Sequence, residues 1–329
     1  MKEFALVARD LKSLEIGRVL EEEPLYRHTS FRIGGPAAVF LEPSGEEEMV
    51  AALDWLHGRG IPMVVLGLGT NLLVSDRGVG AVVISSVRSL RQVEFRGHLV
   101  RAGTGVGLVR LAHLAEARGL SGLEFAVSIP GTLGGALVMN AGAHGSAMAA
   151  VVRRVTIWQP GRGAETLDGQ AFEFDYRESR FQRAPELVAL SAEIELEPAD
   201  PVAIRDRMAH FMEYRKRTQP VGEPNAGSVF KNPAPLYAGK LIDSVGAKGW
   251  REGDAEVSAV HANFIVNRGQ ARAIEVLALM RRVRRAVYQA YHVVLRPEIR
   301  WIGPPEGGAG TSWENLWYAA GEGLTEPSA

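Results

Sequence analysis

The chain has 329 residues, 46% hydrophobic and 23% charged, which is typical of a globular protein with room for two or three domains. Its formal net charge of −1 provides no field that would attract nucleic acid or an anionic membrane, so we expect neither as a partner. The absence of cysteine excludes disulfides, thiolate catalysis and cysteine-ligated zinc or iron–sulfur sites, and it fits a reducing, cytoplasmic location. We also expect no metal centre. The first residues lack the apolar core of a signal peptide, and no uncharged apolar run reaches the roughly 20 residues that span a bilayer.

The first part of the chain alternates predicted strands and helices. Residues 37–41 follow Gly34-Gly35-Pro36 and predict a short strand. Ser44, with Glu47 three residues later, is a capping-box pattern that predicts the start of a helix. Residues 63–66 predict a buried strand that leads into a glycine-rich turn.

That turn, residues 67–73, has the sequence Gly-Leu-Gly-Thr-Asn-Leu-Leu. A glycine-rich turn after a strand is a familiar way of binding a phosphate through main-chain N–H groups. Only Gly67 and Gly69 match the dinucleotide-binding fingerprint, and no Gly-Lys-Ser/Thr follows as in a Walker loop. The turn taken alone is explained equally well as a phosphate site and as a plain tight turn.

A second glycine-rich stretch extends from Glu124 to Gly145, with glycines at 131, 134, 135, 142 and 145. Glycine in such number has an entropic cost and indicates close backbone approach or positive φ. The alternatives are a flexible loop or a tightly packed helix entry. Flexible linkers are polar, whereas this stretch is rich in Leu, Val, Ile and Met, so we interpret residues 129–145 as an ordered cofactor site, the glycine cradle.

The second half of the chain predicts further strands and two long helices. One helix begins near Pro201 and ends at Arg217, the other covers 271–291, and each has an apolar stripe at helical spacing. The predicted strands are 151–158, 164–167, 187–196, 263–267 and 295–303.

Several polar residues of this half are candidates for chemistry. Small residues surround Ser228 and leave its hydroxyl reachable, but a serine in a glycine-flanked turn is usually a turn residue. No Gly-x-Ser-x-Gly elbow is present, which argues against an ordinary serine hydrolase. His261 fits a hydrogen-bonded structural histidine better than a ligand, and Glu298 fits either a cleft or a solvent-facing position.

In this order the motifs resemble those of the UDP-N-acetylenolpyruvoylglucosamine reductases, flavoenzymes of peptidoglycan precursor synthesis. The resemblance runs from about residue 26 to residue 303. Its early glycine motifs are shared with other FAD-binding domains of the vanillyl-alcohol-oxidase type, whereas the motif around Ser228 is much more specific to the reductase. The matching segments are Thr29-Ser30-Phe31-Arg32-Ile33-Gly34-Gly35, Leu66-Gly67-Leu68-Gly69-Thr70-Asn71-Leu72-Leu73, Ile129-Pro130-Gly131-Thr132-Leu133-Gly134-Gly135, Asn140-Ala141-Gly142-Ala143-His144-Gly145, Tyr176-Arg177-x-Ser179, Ala226-Gly227-Ser228-Val229-Phe230-Lys231-Asn232-Pro233 and His261-Ala262-Asn263-Phe264-Ile265-Val266-Asn267.

The resemblance implies an α+β fold with a two-part FAD-binding domain of the vanillyl-alcohol-oxidase (PCMH) type and a C-terminal α+β substrate domain. We place the first FAD-binding subdomain at 1–85 together with the closing strand, 294–303. The second subdomain is expected at 86–200, the substrate-binding domain at 201–293 and a flexible tail at 304–329.

The resemblance also implies a reaction and its residues. NADPH reduces FAD, and the flavin then reduces UDP-N-acetylglucosamine enolpyruvate to UDP-N-acetylmuramate. Ser228 matches the proton donor to C2, Arg177 matches the arginine that stabilises the enolate-like intermediate, and Glu298 matches the carboxylate that shares this task or relays protons. The positions matched to FAD binding are Gly67, Gly69, Thr70, Asn71, Leu72, Ile129, Pro130, Gly131, Gly134, Gly135, Asn140 and Gly142. Those matched to substrate binding are Tyr176, Arg217, Lys231 and Asn232, where Arg217 takes the place of a family lysine near the pyrophosphate.

One departure from part of the family concerns the segment after Arg177. One branch of the family has a longer insertion there, with a tyrosine that closes over the substrate. Here only residues 178–186 separate the Tyr-Arg motif from the next predicted strand, which is typical of the shorter branch without that lid.

Two alternative functions compete with the reductase. An FAD-dependent oxidase acting on an alcohol or aldonolactone would share the cradle but have no use for the Ser228 motif. A non-catalytic flavin or nucleotide-sugar sensor would need no proton donor, and the presence of Arg177, Ser228 and Glu298 argues against it.

Overall fold

A computed structural model describes residues 2–304 of the chain. The tail predicted for 304–329 lies, from residue 305 onward, outside the described residues. The helices are α1 (Lys2–Ser13), α2 (Glu46–His57), α3 (Ser86–Ser89), α4 (Leu108–Glu116), α5 (Leu133–Val138), α6 (Arg180–Arg183), α7 (Pro201–Thr218), α8 (Ala238–Ser244) and α9 (Ala273–Tyr291). Short 3₁₀ turns cover Leu25–His28, Glu124–Ser128, Met148–Ala150 and Gly169–Phe172.

The strands range from two to eight residues. They are β1 (Arg18–Pro24), β2 (Pro36–Glu42), β3 (Met63–Leu66), β4 (Leu72–Val74), β5 (Val79–Ser85), β6 (Val93–Arg96), β7 (Leu99–Gly103), β8 (Leu120–Ser121), β9 (Gly142–Ala143), β10 (Ser146–Ala147), β11 (Val152–Gln159), β12 (Gly163–Asp168), β13 (Val188–Glu195), β14 (Glu197–Pro198), β15 (Asn225–Ser228), β16 (Arg251–Glu252), β17 (Ala255–Val257), β18 (Phe264–Asn267) and β19 (Arg300–Ile302).

The chain divides into two compact units. Among the described residues, unit 1 gathers 2–21, 39–68 and 81–215, and unit 2 gathers 22–38, 69–80 and 216–304. Two of the points at which the chain passes from unit 1 to unit 2 lie inside predicted features: one is in the phosphate turn, after Leu68, and the other is in α7, after Arg215.

Unit 1 contains a five-stranded antiparallel sheet in the order β12-β11-β13-β7-β6. One buried cluster joins this sheet to α4, α5 and the first half of α7, where Ile204 and Met208 are buried as the apolar stripe predicts. A second cluster of unit 1 packs α1 and α2 against β3 and β5, which pair in parallel. These strands belong to a four-stranded sheet in the order β1-β2-β5-β3.

Unit 2 contains a four-stranded antiparallel sheet in the order β15-β18-β17-β16. Helix α9 covers it through a buried stripe that includes Leu277, Met280 and Val283, as the helical spacing predicts. The helix begins at Ala273, where both carboxylate oxygens of Asp76 accept main-chain N–H groups, from Ala273 at 2.7 Å and from Ile274 at 3.1 Å. A carboxylate at this end satisfies donors that have no intrahelical acceptor and complements the helix dipole.

Two sequence predictions about element ends differ from the structure. Helix α2 begins after Gly45 rather than at Ser44; the Ser44 N–H instead donates to the Glu48 carboxylate at 2.7 Å, so no hydroxyl cap forms. The predicted closing strand is regular only at 300–302, where β19 pairs in parallel with β4. The preceding residues include Pro297, which has no N–H for a ladder and forms a single bridge to Phe230.

Within residues 2–304, no helix combines the length and apolar character needed to cross a bilayer.

Candidate active site

The glycine cradle lies in unit 1 and is packed around Thr132. A β-carbon at Gly67 would overlap the Thr132 hydroxyl, and one at Gly134 would lie 3.1 Å from the Thr104 Cβ. The Thr132 hydroxyl also accepts the Gly135 N–H at 3.3 Å and so caps α5. The end of β3 and the start of α5 therefore approach each other as closely as they do because Gly67 has no side chain.

This arrangement leaves main-chain donors available. In the described part of the chain, the N–H groups of Gly67, Leu68, Gly131 and Thr132 have no acceptor. Gly131, next to the exposed Pro130, has no side chain and a φ of +140°, so its main chain forms part of the cradle's surface. Consecutive unpaired N–H groups in turns bind anions such as phosphates, so these residues fit the pyrophosphate of FAD.

The remainder of the phosphate turn lies in unit 2. Gly69 has a φ of +61°, and a β-carbon there would overlap the carbonyl oxygen of His28. The Ser30 N–H donates to the Gly69 carbonyl at 3.2 Å, so the Thr29–Gly35 motif supports this turn. Thr70 is half-buried, and Leu72 begins β4.

Asn71 connects this turn to the segment of Glu298. Its side-chain amide donates to the Glu298 carbonyl at 3.2 Å, and its own carbonyl accepts the Arg300 N–H at 2.9 Å. The Glu298 N–H in turn donates to the carbonyl of Val229 at 2.8 Å. Glu298 is therefore hydrogen-bonded through its backbone to the phosphate turn on one side and to the residue after Ser228 on the other.

Ser228 closes β15 at an irregularity of the sheet. The pairing with β18 shifts register between Asn225 and Ser228, and Gly227 has a φ of +80°. The Ser228 side chain is half-buried, and its hydroxyl forms no hydrogen bond to any of the described residues. Because no group within residues 2–304 accepts its proton, the hydroxyl is available to a ligand.

Asn263 fixes the backbone after Ser228. Its side chain is 4% exposed; the amide oxygen accepts the Phe230 N–H at 3.0 Å and the amide nitrogen donates to the Phe230 carbonyl at 2.8 Å. The Asn263 carbonyl accepts the Val229 N–H at 2.8 Å. Asn263 lies in one of the motifs that match the family, but nothing in the sequence of that motif indicates that its side chain pairs with the backbone of Phe230.

Lys231 and Asn232 follow on the same segment. Lys231 is half-buried, and its N–H donates to the Arg296 carbonyl at 2.8 Å. The Asn232 side chain accepts the Ala238 N–H at 3.0 Å, so it serves the first turn of α8. His261 lies two residues before Asn263, and burial lowers its pKa, which favours the neutral imidazole. Its Nδ1 accepts the Asn263 N–H at 3.1 Å, a structural contact.

Arg177 lies in unit 1, in a tight turn. Asp175 and Glu178 exchange main-chain hydrogen bonds of 3.0 and 3.1 Å, and between them lie Tyr176, which is exposed, and Arg177, which has a φ of +56°. The Arg177 guanidinium donates to the Gly142 carbonyl of the cradle at 2.9 Å. Asn140, buried in the cradle, donates to the Asp175 carbonyl at 2.9 Å and accepts the Ala149 N–H at 2.9 Å.

The structure thus places the predicted catalytic residues in two groups. Ser228 and Glu298 lie on hydrogen-bonded segments of unit 2, and Arg177 lies against the cradle of unit 1. Ile129 lies between the 3₁₀ turn at Glu124–Ser128 and Pro130, and Arg217 is exposed in the last turn of α7. Only α6 lies between the Arg177 turn and β13, so no longer insertion is present there.

Helix α7 is fixed to the entry of the cradle by a charged pair. The Glu124 carboxylate accepts from Arg207 at 2.5 Å, from the Gly122 N–H at 2.8 Å and from the Ser121 hydroxyl at 2.8 Å. Burial raises the pKa of Glu124, but these hydrogen bonds outweigh burial and hold the pKa below its usual value. Arg215, about two turns further along α7, donates to the Ser128 carbonyl at 2.6 Å.

Comparison with known proteins identifies the family. The FAD-binding-domain family model matches residues 36–164, and the model for the C-terminal domain of UDP-N-acetylenolpyruvoylglucosamine reductase matches residues 219–302. The chain is 46% identical over 297 residues to UDP-N-acetylenolpyruvoylglucosamine reductase 2 of Symbiobacterium thermophilum, covering 89% of this chain and 96% of that protein. The Bacillus subtilis reductase is 41% identical over 297 residues, or 90% of this chain and 98% of that protein.

A solved structure agrees. The reductase of Thermus caldophilus superimposes with a TM-score of 0.74 at 35% identity, covering 87% of this chain and 98% of that chain. The α+β fold predicted from the sequence, an FAD-binding domain followed by a C-terminal domain of the reductase type, is confirmed. The chain belongs to the UDP-N-acetylenolpyruvoylglucosamine reductase family.

Proposed function

We propose that this protein is an FAD-dependent oxidoreductase that uses NADPH to reduce UDP-N-acetylglucosamine enolpyruvate to UDP-N-acetylmuramate for peptidoglycan synthesis. Membership of the reductase family supports the activity. The structural observation that carries it is Ser228, whose hydroxyl has no acceptor among the described residues and whose segment is hydrogen-bonded to that of Glu298. An oxidase that only bound FAD would have no use for such a donor.

The cradle and the phosphate turn supply the proposed FAD contacts. FAD held by these residues would supply hydride transfer from NADPH to C3 of the enolpyruvyl group. Unpaired N–H groups at Gly67 and Gly131 would hold the pyrophosphate, and the side-chain-free surface at Gly134 and Gly135 would accept the flat ring. The other proposed contacts are Gly69, Thr70, Asn71, Leu72, Ile129, Pro130, Asn140 and Gly142.

The residues act on the substrate as follows. Addition of hydride to C3 places negative charge on C2 and the adjoining carboxylate, and the Arg177 guanidinium stabilises that charge. The Ser228 hydroxyl gives its proton to C2. Serine is a poor acid in water, but a carbanion is a strong base, so the driving force for transfer is large. Glu298 shares the stabilisation or returns a proton to Ser228, and Tyr176, Arg217, Lys231 and Asn232 hold the rest of the nucleotide sugar.

We propose the domain boundaries given above, 1–85 with 294–303, 86–200 and 201–293. Three separate buried clusters support a division into three parts: one is built mainly on α1, α2 and β5, one on the five-stranded sheet with α4 and α5, and one on the sheet of β15–β18 with α9. The third cluster also contains Phe31, Leu73 and Ile299, so these residues of the first proposed subdomain pack with the substrate-binding domain. The nucleotide substrates and the cysteine-free sequence support a cytoplasmic location.

The test uses the purified protein. We expect one non-covalently bound FAD per chain, released into the supernatant by acid precipitation, and NADPH oxidation that depends on the enolpyruvyl nucleotide. A colourless protein that cannot take up FAD would contradict the proposal. NADPH oxidation that is indifferent to the enolpyruvyl nucleotide, or flavin that remains with the precipitate, would favour the oxidase.

A further inference from the structure

The turn that carries Arg177 is joined to the cradle by a residue to which the reaction assigns no role, Gln182. This side chain lies on α6, five residues after Arg177, and is half-buried. Its amide nitrogen donates to the Arg177 carbonyl at 2.9 Å and to the Val138 carbonyl at 2.8 Å. A carboxamide has two N–H donors, so this pair of bonds uses both.

Each acceptor of Gln182 has a defined place in the site. Val138 is the last residue of α5, the helix of the glycine cradle, and its carbonyl is among those that an α-helix leaves without an intrahelical donor. Arg177 has a left-handed backbone, with a φ of +56°, a conformation that is unfavourable for a residue with a β-carbon. Such a conformation persists only where the surroundings hold it.

The side chain of Arg177 depends on the same turn. Its guanidinium reaches the Gly142 carbonyl at 2.9 Å from a backbone that Gln182 holds against α5. If the carbonyl of Arg177 were released, the turn could relax towards negative φ, and the guanidinium would be presented from a different position. The Ser179 hydroxyl donates to the same Val138 carbonyl at 2.7 Å.

We propose that Gln182 is a positioning residue for Arg177: its carboxamide bridges α5 and the Arg177 carbonyl and so sets where the guanidinium meets the substrate carboxylate. This inference rests on the proposed function, because it concerns the half-reaction in which Arg177 acts. A misplacement of about 1 Å in a reacting group costs about a hundredfold in rate. Loss of the bridge should therefore slow reoxidation of the reduced enzyme by the enolpyruvyl nucleotide by about ten- to a hundredfold.

The test is stopped-flow measurement of the two half-reactions in the FAD-loaded enzyme. Gln182→Met keeps the length and loses both donors; we expect normal FAD content and flavin reduction by NADPH, with slow reoxidation. Gln182→Lys has a similar length and restores donors, and should recover most of the reoxidation rate. In an Arg177→Ala background, Gln182→Met should cause no further loss, because the group that it positions is gone.

Two control variants separate positioning from general stability. Ser179→Ala removes the other hydrogen bond to Val138 and should lower the melting temperature while leaving reoxidation near the wild-type rate. Gln159→Met applies the same exchange to a residue whose side-chain amide donates to the Glu165 carboxylate on the β11–β12 hairpin, and should change neither the melting temperature nor the reoxidation rate.

The outcomes are distinguishable. Wild-type reoxidation in Gln182→Met, equal damage to both half-reactions, or a full additional loss in the Arg177→Ala background would overturn the positioning role. If the wild-type enzyme itself is not reoxidised by the enolpyruvyl nucleotide, the proposed function fails instead. Should Gln182→Met not fold, slow reoxidation in Gln182→Glu, which keeps the shape but replaces the donors with oxygen, supports the proposal, and wild-type reoxidation in that variant overturns it.

Discussion

The turn that carries Arg177 and the strand end that carries Ser228 differ in how the side chain is held. The Arg177 guanidinium is hydrogen-bonded to the cradle, and its turn is held by Gln182 and Asn140. Around Ser228 the backbone is held, by Asn263 and by the Glu298 segment, while the hydroxyl itself has no acceptor in the described part of the chain. A guanidinium that stabilises an anion must be oriented before the negative charge develops on the substrate. A proton donor, in contrast, must not already donate its hydrogen to an acceptor in the protein. The predictions below test this contrast.

The largest effect is expected from Ser228→Ala. General acid catalysis contributes about a hundredfold to ten-thousandfold to a rate, so the rate of reoxidation by the enolpyruvyl nucleotide should fall by a factor of about a hundred or more. FAD binding and flavin reduction by NADPH should stay intact. Ser228→Cys keeps a transferable proton at nearly the same place and should retain partial activity. Single-turnover reoxidation measures both.

Ser244→Ala is the matched control, an exposed serine of unit 2 whose hydroxyl donates to Leu241. Near-normal reoxidation in Ser228→Ala would leave Ser228 as a turn serine and remove it from the mechanism.

The second effect is expected from Arg177→Ala. Removing one donor from a developing anion costs about a hundredfold to a thousandfold, so reoxidation should slow by that factor while flavin reduction remains nearly unchanged. Arg177→Lys keeps the positive charge but loses the planar guanidinium, so its reoxidation rate should lie between those of the wild type and Arg177→Ala. Stopped-flow traces of each half-reaction decide; equal damage to flavin reduction would instead assign Arg177 to NADPH binding or to the fold. Arg183→Ala, which removes an exposed ion pair with Glu173, is the control.

The contrast between Arg177 and Ser228 also shows what the sequence can predict. The long helices α7 and α9 were predicted because their apolar residues recur at helical spacing, and the glycine motifs were recognised because their composition is unusual. The contacts of Gln182 with Val138 and of Asn263 with Phe230 were not predicted, since each is a hydrogen bond from a side chain to the backbone of a residue distant in sequence. Asn263 meets Phe230 across 33 positions, and Gln182 meets Val138 across 44. Such pairing depends on sheet register and helix docking, which composition and spacing do not determine. The predicted start of α2 at Ser44 was wrong for a different reason. A capping pattern gives the residue types of a cap, but it does not determine which main-chain N–H bonds to which side chain.

A third prediction concerns Asn263. Asn263→Leu leaves the buried N–H and carbonyl of Phe230 unpaired, which should lower the free energy of unfolding by about 1–3 kcal/mol for each unpaired group. It should also slow reoxidation, because the backbone beside Ser228 loses its support. Asn267→Leu is the matched comparison: that side chain is equally buried, but it contacts Phe31, Gly269 and Ala271 instead. If both variants lose stability and only Asn263→Leu loses reoxidation, the support is specific to Ser228; equal losses of reoxidation would contradict it.

The smallest effect concerns Glu256, a buried carboxylate in the sheet of unit 2. Hydrogen bonds from Arg268 hold the pKa of Glu256 below its usual value, burial opposes them, and Arg251 contributes a further bond. Because the folded-state pKa is depressed, the stabilisation is fully present above the unfolded value of about 4.3 and is lost as the pH falls through the folded value. Glu256→Gln should therefore be less stable than the wild type in denaturant titrations at pH 7, and the difference should shrink as the pH falls below about 4. Glu252→Gln, which removes a partly exposed pair with Arg282, should change stability little at either pH. A Glu256→Gln deficit that stays constant from pH 7 down to that range would show that the ionisation of Glu256 is not its source, and the ion pairs of Glu256 would then contribute no net stability to the sheet that includes Ser228.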